Sequence, residues 1–91
     1  MMDSLIGRFA ISKAGHDKCQ VYVIIDENAE HVSLCDGRLK TVTKPKKKRI
    51  KHIQLTNSSV NKELLQKLLC HDKILDEEIK YELKRFYASR N

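Results

Sequence analysis

The most concentrated chemistry in this sequence is a run of positive charge between residues 38 and 52. These fifteen residues contain eight lysines and arginines and no acidic residue, and apolar, strand-like segments flank them on both sides. Cations at this density are typical of surfaces that bind the phosphate backbone of a nucleic acid, because each neutralised phosphate releases counterions. The candidate binding residues are Arg38, Lys40, Lys44, Lys46, Lys47, Lys48, Arg49, Lys51 and the adjoining His52.

A plainer interpretation of the same run is a solvated edge strand, whose lysines only prevent one sheet from pairing with another. The distribution of charge favours binding instead. The net charge is +6, and residues 1–57 carry eleven basic against six acidic residues, whereas residues 58–91 carry seven against six. The excess charge therefore belongs to the first part of the chain and predicts a polyanionic partner for it.

A second basic element is the short segment KAGHDKC, residues 13–19. Gly15 follows a strand-like stretch, where a tight turn or a close backbone approach needs a residue without a Cβ atom. Lys13, His16 and Lys18 would surround the tip of this loop, and the histidine could stack on a base or bind a phosphate. An ordinary polar turn accounts for these residues equally well, so the loop by itself does not decide between the two.

The remaining polar residues predict no reaction, no metal site and no cofactor. The three cysteines are widely spaced without a Cys-x-x-Cys pair, so we expect neither a metal centre nor a disulfide framework. Cys19 and Cys35 fit strands as small apolar residues. Cys70, His71 and Asp72 adjoin in sequence, and neighbours on a helix do not face each other, so we expect no catalysis.

We expect a cytoplasmic protein without a membrane segment. Cysteines without a disulfide pattern suit a reducing compartment. The N-terminus lacks the pattern of a signal peptide, and the longest apolar run, residues 21–25, is far too short to span a bilayer.

The elements that must position the basic residues are strands in the first part of the chain. Asp36-Gly37 predicts a two-residue hairpin turn, with residues 38–43 as the returning strand and with Leu39 and either Thr41 or Val42 pointing inward. Pro45 cannot donate to a sheet ladder and therefore marks a break or an edge. Five short strands with tight turns indicate a small barrel. Alternating or continuous apolar patterns predict the other four strands over 7–15, 19–26, 31–36 and 50–55.

The second part of the chain changes to a helical period. Residues 56–59 predict a linker with N-cap chemistry, and a break near residues 71–75 separates two helices. We expect the apolar stripes of the two helices to pack on each other or on the barrel. The alternative is that they dock a partner protein. The stripes are Leu64, Leu65, Leu68 and Leu69 in the first helix and Ile79, Leu83 and Phe86 in the second.

The segment GRFAISKAGHDKCQVYVIID resembles a KOW motif, which consists of an alternating strand, a loop with a glycine and a second apolar strand. Gly15 would be the glycine of the motif, and many KOW loops have a second glycine where this chain has Cys19. Together with DGRLKTVTKPKKKRIKHIQLT, the chain is similar over residues 5–56 to the eukaryotic-type large-subunit ribosomal protein fourteen family and its short bacterial relatives.

The resemblance implies an SH3-like five-stranded barrel of the KOW type in residues 1–57, followed by two short helices in residues 58–91. It also implies binding of structured RNA, most often ribosomal RNA, in translation or ribosome assembly. A protein-interaction adaptor that uses the barrel and the amphipathic helices is the alternative function. The residues expected to bind RNA are Lys13, Gly15, His16, Lys18, Arg38, Lys40, Lys44, Lys46, Lys47, Lys48, Arg49, Lys51 and His52.

Overall fold

The computed structural model describes residues 4–16 and 18–89 of the chain. It is mostly β in the first part and helical in the second, as the sequence predicts. The elements, in chain order, are β1 (Arg8–Ser12), β2 (Val21–Glu27), β3 (His31–Cys35), β4 (Lys46–Arg49), a 3-10 turn (Ile50–His52), β5 (Ile53–Ser59), α1 (Lys62–Leu69) and α2 (Asp76–Ser89).

The five strands form one antiparallel sheet in the order β4-β3-β2-β1-β5. Both β4 and β5 are edges of this sheet, so the predicted barrel is not closed. The sheet is nevertheless strongly curled. Strands β4 and β1 would lie about 14 Å apart in a flat sheet, yet the Nζ atom of Lys48 on β4 is 2.5 Å from the hydroxyl of Ser12 on β1.

Apolar side chains are buried on both faces of the sheet. The concave face holds an inner core, defined by Ala10, Tyr22, Ile24, Val32, Leu34 and Ile53. The other face packs against the helices in a helix-side core, where the rings of Phe9 and Phe86 are stacked with centroids 4.5 Å apart. Cross-strand pairs such as Phe9–Val23 and Val23–Cys35 belong to this second face, as the pleat of a sheet requires.

The prediction of a hairpin at Asp36-Gly37 is wrong. Residues 36–45 form an irregular connection, and Leu39, which we expected to point inward, is 86% exposed. The carboxylate of Asp36 accepts hydrogen bonds from the backbone N–H groups of Arg38 and Lys40, at 2.8 and 2.9 Å. This side chain turns the backbone in place of a two-residue turn.

The connection is also tied to the second helix, which explains why it does not pair with β3. The N–H of Val42 donates to the Asp76 carboxylate at 2.8 Å. Gly37 has a φ of +76°, and a Cβ atom there would be 2.5 Å from the carbonyl oxygen of Asp76. The returning strand is therefore β4, four residues of the basic run, and Pro45 directly precedes it at the sheet edge as predicted.

The two helices and the break between them confirm the prediction for the second part of the chain. Leu64, Leu68, Ile79, Leu83 and Phe86 are buried in the helix-side core, so these parts of the stripes pack on the sheet. Leu65 packs partly buried against the same core, whereas Leu69 is 47% exposed. None of the helices in residues 4–16 and 18–89 is long and apolar enough to cross a bilayer. The division of the chain at residue 57 stays a prediction.

The start of the helical segment differs from the prediction. Residues 56–59 are not a linker, because they continue β5 as far as Ser59. The N-cap is Asn61, whose Oδ1 accepts the N–H of Leu64 at 2.9 Å. The buried Glu82 carboxylate accepts from both the backbone N–H and the side-chain amide of Asn61, so α2 holds the first turn of α1 in place.

Candidate nucleic-acid interface

The loop between β1 and β2 is a tight, hydrogen-bonded turn. The N–H of Cys19 donates to the carbonyl oxygen of Ser12 at 2.8 Å, and the N–H of Lys18 donates to the carbonyl oxygen of Gly15 at 3.3 Å. Gly15 has a φ of +87° and Cys19 a φ of +74°, both in the left-handed region that favours glycine. The prediction that the loop needs a glycine at position 15 is confirmed.

Lys48 joins the basic run to this loop. Its ammonium donates to the Ser12 hydroxyl at 2.5 Å and to the carbonyl oxygen of Ala14 at 2.7 Å. The side chain is half-buried, and Ser12 is 1% exposed. Hydrogen bonds from an ionised donor are among the stronger ones in proteins, so Lys48 positions the loop from within the protein.

The 3-10 turn lies on the other side of the same loop. The backbone N–H of Lys13 donates to the carbonyl oxygen of His52 at 2.9 Å, which holds the loop against the turn. The two basic segments that the sequence separates by more than thirty residues are therefore adjacent. We call this area the loop–turn surface; its exposed members are Lys13, Gly15, His16, Lys18, Lys51 and His52.

The basic side chains of β4 point to both faces of the sheet. Cross-strand pairing places Lys46 and Lys48 opposite Leu34 and Val32, on the face of the inner core. The alternate residues, Lys47 and Arg49, are exposed and pair with Ser33 and His31. They therefore lie on the opposite face of the strand, because successive side chains alternate.

Lys47 also has acidic neighbours. It lines a pocket together with Asp26 and Glu27. Carboxylates beside a cation reduce the local positive potential that attracts phosphates. Lys47 is therefore a weaker candidate for backbone contacts than the cations of the loop–turn surface.

Three of the expected residues belong to the irregular connection instead. Lys40 is half-buried, and Lys44 is exposed just before β4. Arg38 is exposed beside α2, where it lines a cleft with Lys80 and Lys84. These two lysines were missed in the sequence, although their spacing of four residues places them on one face of a helix.

The described part of the chain contains all three cysteines, whose thiols are candidate metal ligands. Cys19, Cys35 and Cys70 are free thiols. Cys35 is a buried strand residue as predicted, and burial raises the pKa of its thiol to about 12. The same prediction is wrong for Cys19, which is exposed in the loop. Among these residues, no group of three or more histidines, cysteines or carboxylates is placed to hold a metal ion.

The loop–turn surface can bind an anion by several kinds of contact. Lysine ammonium groups attract phosphates, and exposed imidazoles can stack on bases or donate hydrogen bonds. Neither a scan against protein-family models nor a search of curated proteins finds a match for this chain. The chemistry of the surface is therefore the basis for a functional proposal.

Proposed function

We propose that this protein is a non-catalytic RNA-binding protein whose curled sheet is of the SH3-like, KOW type. Its antiparallel order, with β5 returning beside β1, is the connectivity that a small, partly open five-stranded barrel needs. The left-handed conformation of Cys19 adds support, because it suits the second glycine that many KOW loops have at that position. Structured RNA, ribosomal RNA foremost, is the partner that the resemblance favours.

The observation that carries the proposal is the contact between the two basic segments. Lys48 on β4 donates to Ser12 and Ala14, and the carbonyl oxygen of His52 accepts the N–H of Lys13. These three hydrogen bonds hold the start of the loop against β4 and the 3-10 turn. Exposed lysines and histidines from both segments thereby form one surface on a hydrogen-bonded frame. Backbone phosphates need such a cluster, and a solvated edge strand that only prevents aggregation needs no such contact with a distant loop.

The alternative function, a protein-interaction adaptor, is less well supported. Most of the helical stripe residues through which an adaptor would dock a partner already pack in the helix-side core, with Leu64 at 3% exposure and Ile79 at 0%, and Leu69 is the exposed member at 47%. We therefore retain RNA binding, in translation or ribosome assembly in the cytoplasm, as the proposed role. The free thiols of the described cysteines suit that reducing compartment.

The test is a fluorescence-anisotropy titration of an RNA hairpin at several salt concentrations. The double variant Lys13→Ala/Lys51→Ala removes two cations of the loop–turn surface, and its matched control is Lys62→Ala/Lys73→Ala, two exposed lysines of the helical segment. We expect the first pair to weaken binding roughly tenfold or more and to lower the salt slope by about 2, because each phosphate contact contributes about 0.9. The control pair should change both quantities much less.

Three results would contradict the proposal. One is an unmodified protein that binds no RNA hairpin. Another is an affinity that does not change between about 50 and 200 mM salt, because several phosphate contacts require a steep dependence. The third is equal loss of binding in the two double variants, which would show that net charge alone matters and that the loop–turn surface is not the binding site.

A further inference from the structure

A cleft of about 370 Å³ lies between α2, the 36–45 connection and the start of β2. Three cations line it, namely Arg38, Lys80 and Lys84, together with the half-exposed ring of Tyr87. The acidic residue of its lining is Asp36, so the cleft carries a net positive charge. Of these cations, only Arg38 is among the residues expected from the sequence to bind RNA.

The fold builds this cleft from distant segments. Lys80, Lys84 and Tyr87 follow one another at helical spacings of four and three residues and therefore share one face of α2. The connection is seated directly on that helix, because a Cβ atom at Gly37 would be 3.0 Å from Cγ of Lys80. A glycine at this position thus allows Arg38 to approach the lysines of the helix.

The acidic groups near the cleft already have partners. The Asp36 carboxylate accepts two backbone N–H groups of the connection, from Arg38 and Lys40. Glu77 lies 3.2 Å from the ammonium of Lys80, and the Glu77 side chain is 78% exposed, so water screens this ion pair and Glu77 competes only weakly with an incoming anion. An incoming anion can therefore meet three cations without displacing a buried ion pair.

We infer that this cleft binds one nucleotide of the RNA, with its phosphate between the three cations and its base against the Tyr87 ring. The inference rests on the proposed function and extends it to a second contact region. Cations beside an aromatic face are the combination that single-stranded nucleic acid uses, since the charge attracts the backbone and the ring stacks on a base. An acidic peptide would use the cations without requiring the ring.

The position of the cleft fits a strand that continues from the loop–turn surface. Gln20 lines the cleft and directly follows the loop residues Lys18 and Cys19. The N–H of Ser12 donates to the carbonyl oxygen of Gln20 at 3.0 Å, so the loop and the edge of the cleft are held together. A hairpin bound at the loop–turn surface can therefore place a single-stranded tail in the cleft.

The test compares two tyrosines of α2. Tyr87→Ala removes the ring of the cleft, and Tyr81→Ala is its matched control, because Tyr81 is 62% exposed but lines a pocket with Glu63, Glu77, Glu78 and Glu82. The probe is a labelled RNA hairpin with a single-stranded tail, used with and without bases in the tail. We expect Tyr87→Ala to weaken binding of the tailed hairpin roughly five- to hundredfold and to have no effect when the tail is abasic.

The lysines are tested separately on the same probe. Lys80→Ala/Lys84→Ala should lower the salt slope by about 1 to 2, because each contact with a single strand contributes about 0.7. The pair Lys62→Ala/Lys73→Ala again serves as the control for net charge. Thermal melting of each variant, followed by circular dichroism, confirms that the fold is retained.

The possible results separate the two proposals. If the loop–turn variants lose binding while the cleft variants bind the tailed hairpin like the unmodified protein, the inference about the cleft is wrong and the proposed function stands. If Tyr87→Ala and Tyr81→Ala lose affinity equally, or if an abasic tail is equally sensitive, base stacking in the cleft is refuted. Loss of binding to a labelled poly-glutamate peptide, with RNA binding unchanged, assigns the cleft to a protein partner. An unmodified protein that binds no RNA refutes both.

Discussion

Replacing Lys48 by methionine should destabilise the fold, although the position lies in a lysine run at a sheet edge. Methionine keeps an apolar stem of similar length and removes the ammonium that donates to the Ser12 hydroxyl and to the carbonyl of Ala14. Hydrogen bonds that involve a charged group contribute about 1.5 to 3 kcal/mol each. Since the Lys48 side chain is only half-buried, we expect a total loss of about 2 kcal/mol.

The assay is thermal unfolding followed by far-ultraviolet circular dichroism. In a domain of this size, 1 kcal/mol corresponds to about 4–8 °C in Tm, so Lys48→Met should melt about 8–16 °C below the unmodified protein. Lys47→Met is the matched control, because Lys47 is exposed on the same strand and surface substitutions of this kind stay within about 0.5 kcal/mol. Hydrogen exchange should also become faster at the amides of the loop 13–19.

Equal melting temperatures for Lys48→Met and Lys47→Met would refute the assignment of Lys48 as the brace of the loop. Faster exchange spread over the whole sheet, with no preference for the loop, would point to a general loss of stability instead. Either result would leave the backbone hydrogen bond from Lys13 to His52 as the contact that joins the two basic segments.

Three further predictions concern individual side chains. Two thiols, those of Cys19 and Cys70, should react with a disulfide reagent at mildly alkaline pH, while Cys35 reacts only on unfolding, because burial raises its pKa to about 12; three equal rates would contradict its burial. Cys19→Gly should raise the free energy of unfolding by about 1 kcal/mol, measured by urea denaturation, since a left-handed φ of +74° strains a residue with a Cβ atom. The hydrogen bond from Lys67 lowers the pKa of Glu78, so its contribution to stability is present above the ordinary value of 4.5 and is lost as pH falls through the lowered pKa. Glu78→Gln should therefore be less stable than the unmodified protein near neutral pH, and that difference should narrow in acid melts.

Several elements were predictable from the sequence because their apolar pattern and their surroundings agree. β1, β2 and β3 alternate or are rich in β-branched residues, and both helices have apolar stripes at helical spacing of which all but Leu65 and Leu69 become buried. The loop glycine at position 15 was predictable too, because a tight turn at a strand end requires a positive φ whatever lies around it. In such segments the local preference and the tertiary structure favour the same conformation.

The fourth strand could not be predicted in this way. Residues 38–43 have the alternation and β-branched side chains of a strand. The carboxylates of Asp36 and Asp76, however, accept hydrogen bonds from backbone N–H groups of this segment, which therefore does not pair as a strand. Lysines have a low intrinsic preference for strands, yet Lys46–Arg49 pair with β3 because that edge needs a partner. β-propensity depends on pairing and burial, which are properties of the whole fold.

The sequence by itself determined that the protein has a basic first part built from strands, two helices after it, and a glycine loop flanked by cations. The tertiary structure alone decided which of those cations act together. Lys48 donates a hydrogen bond to Ser12 at the start of the loop, and Lys47 lies on the opposite face of the strand. Arg38 lies beside two lysines of α2. The physical reason is that a one-residue step along a strand reverses the direction of a side chain, and the contacts that set this register come from residues far away in the chain.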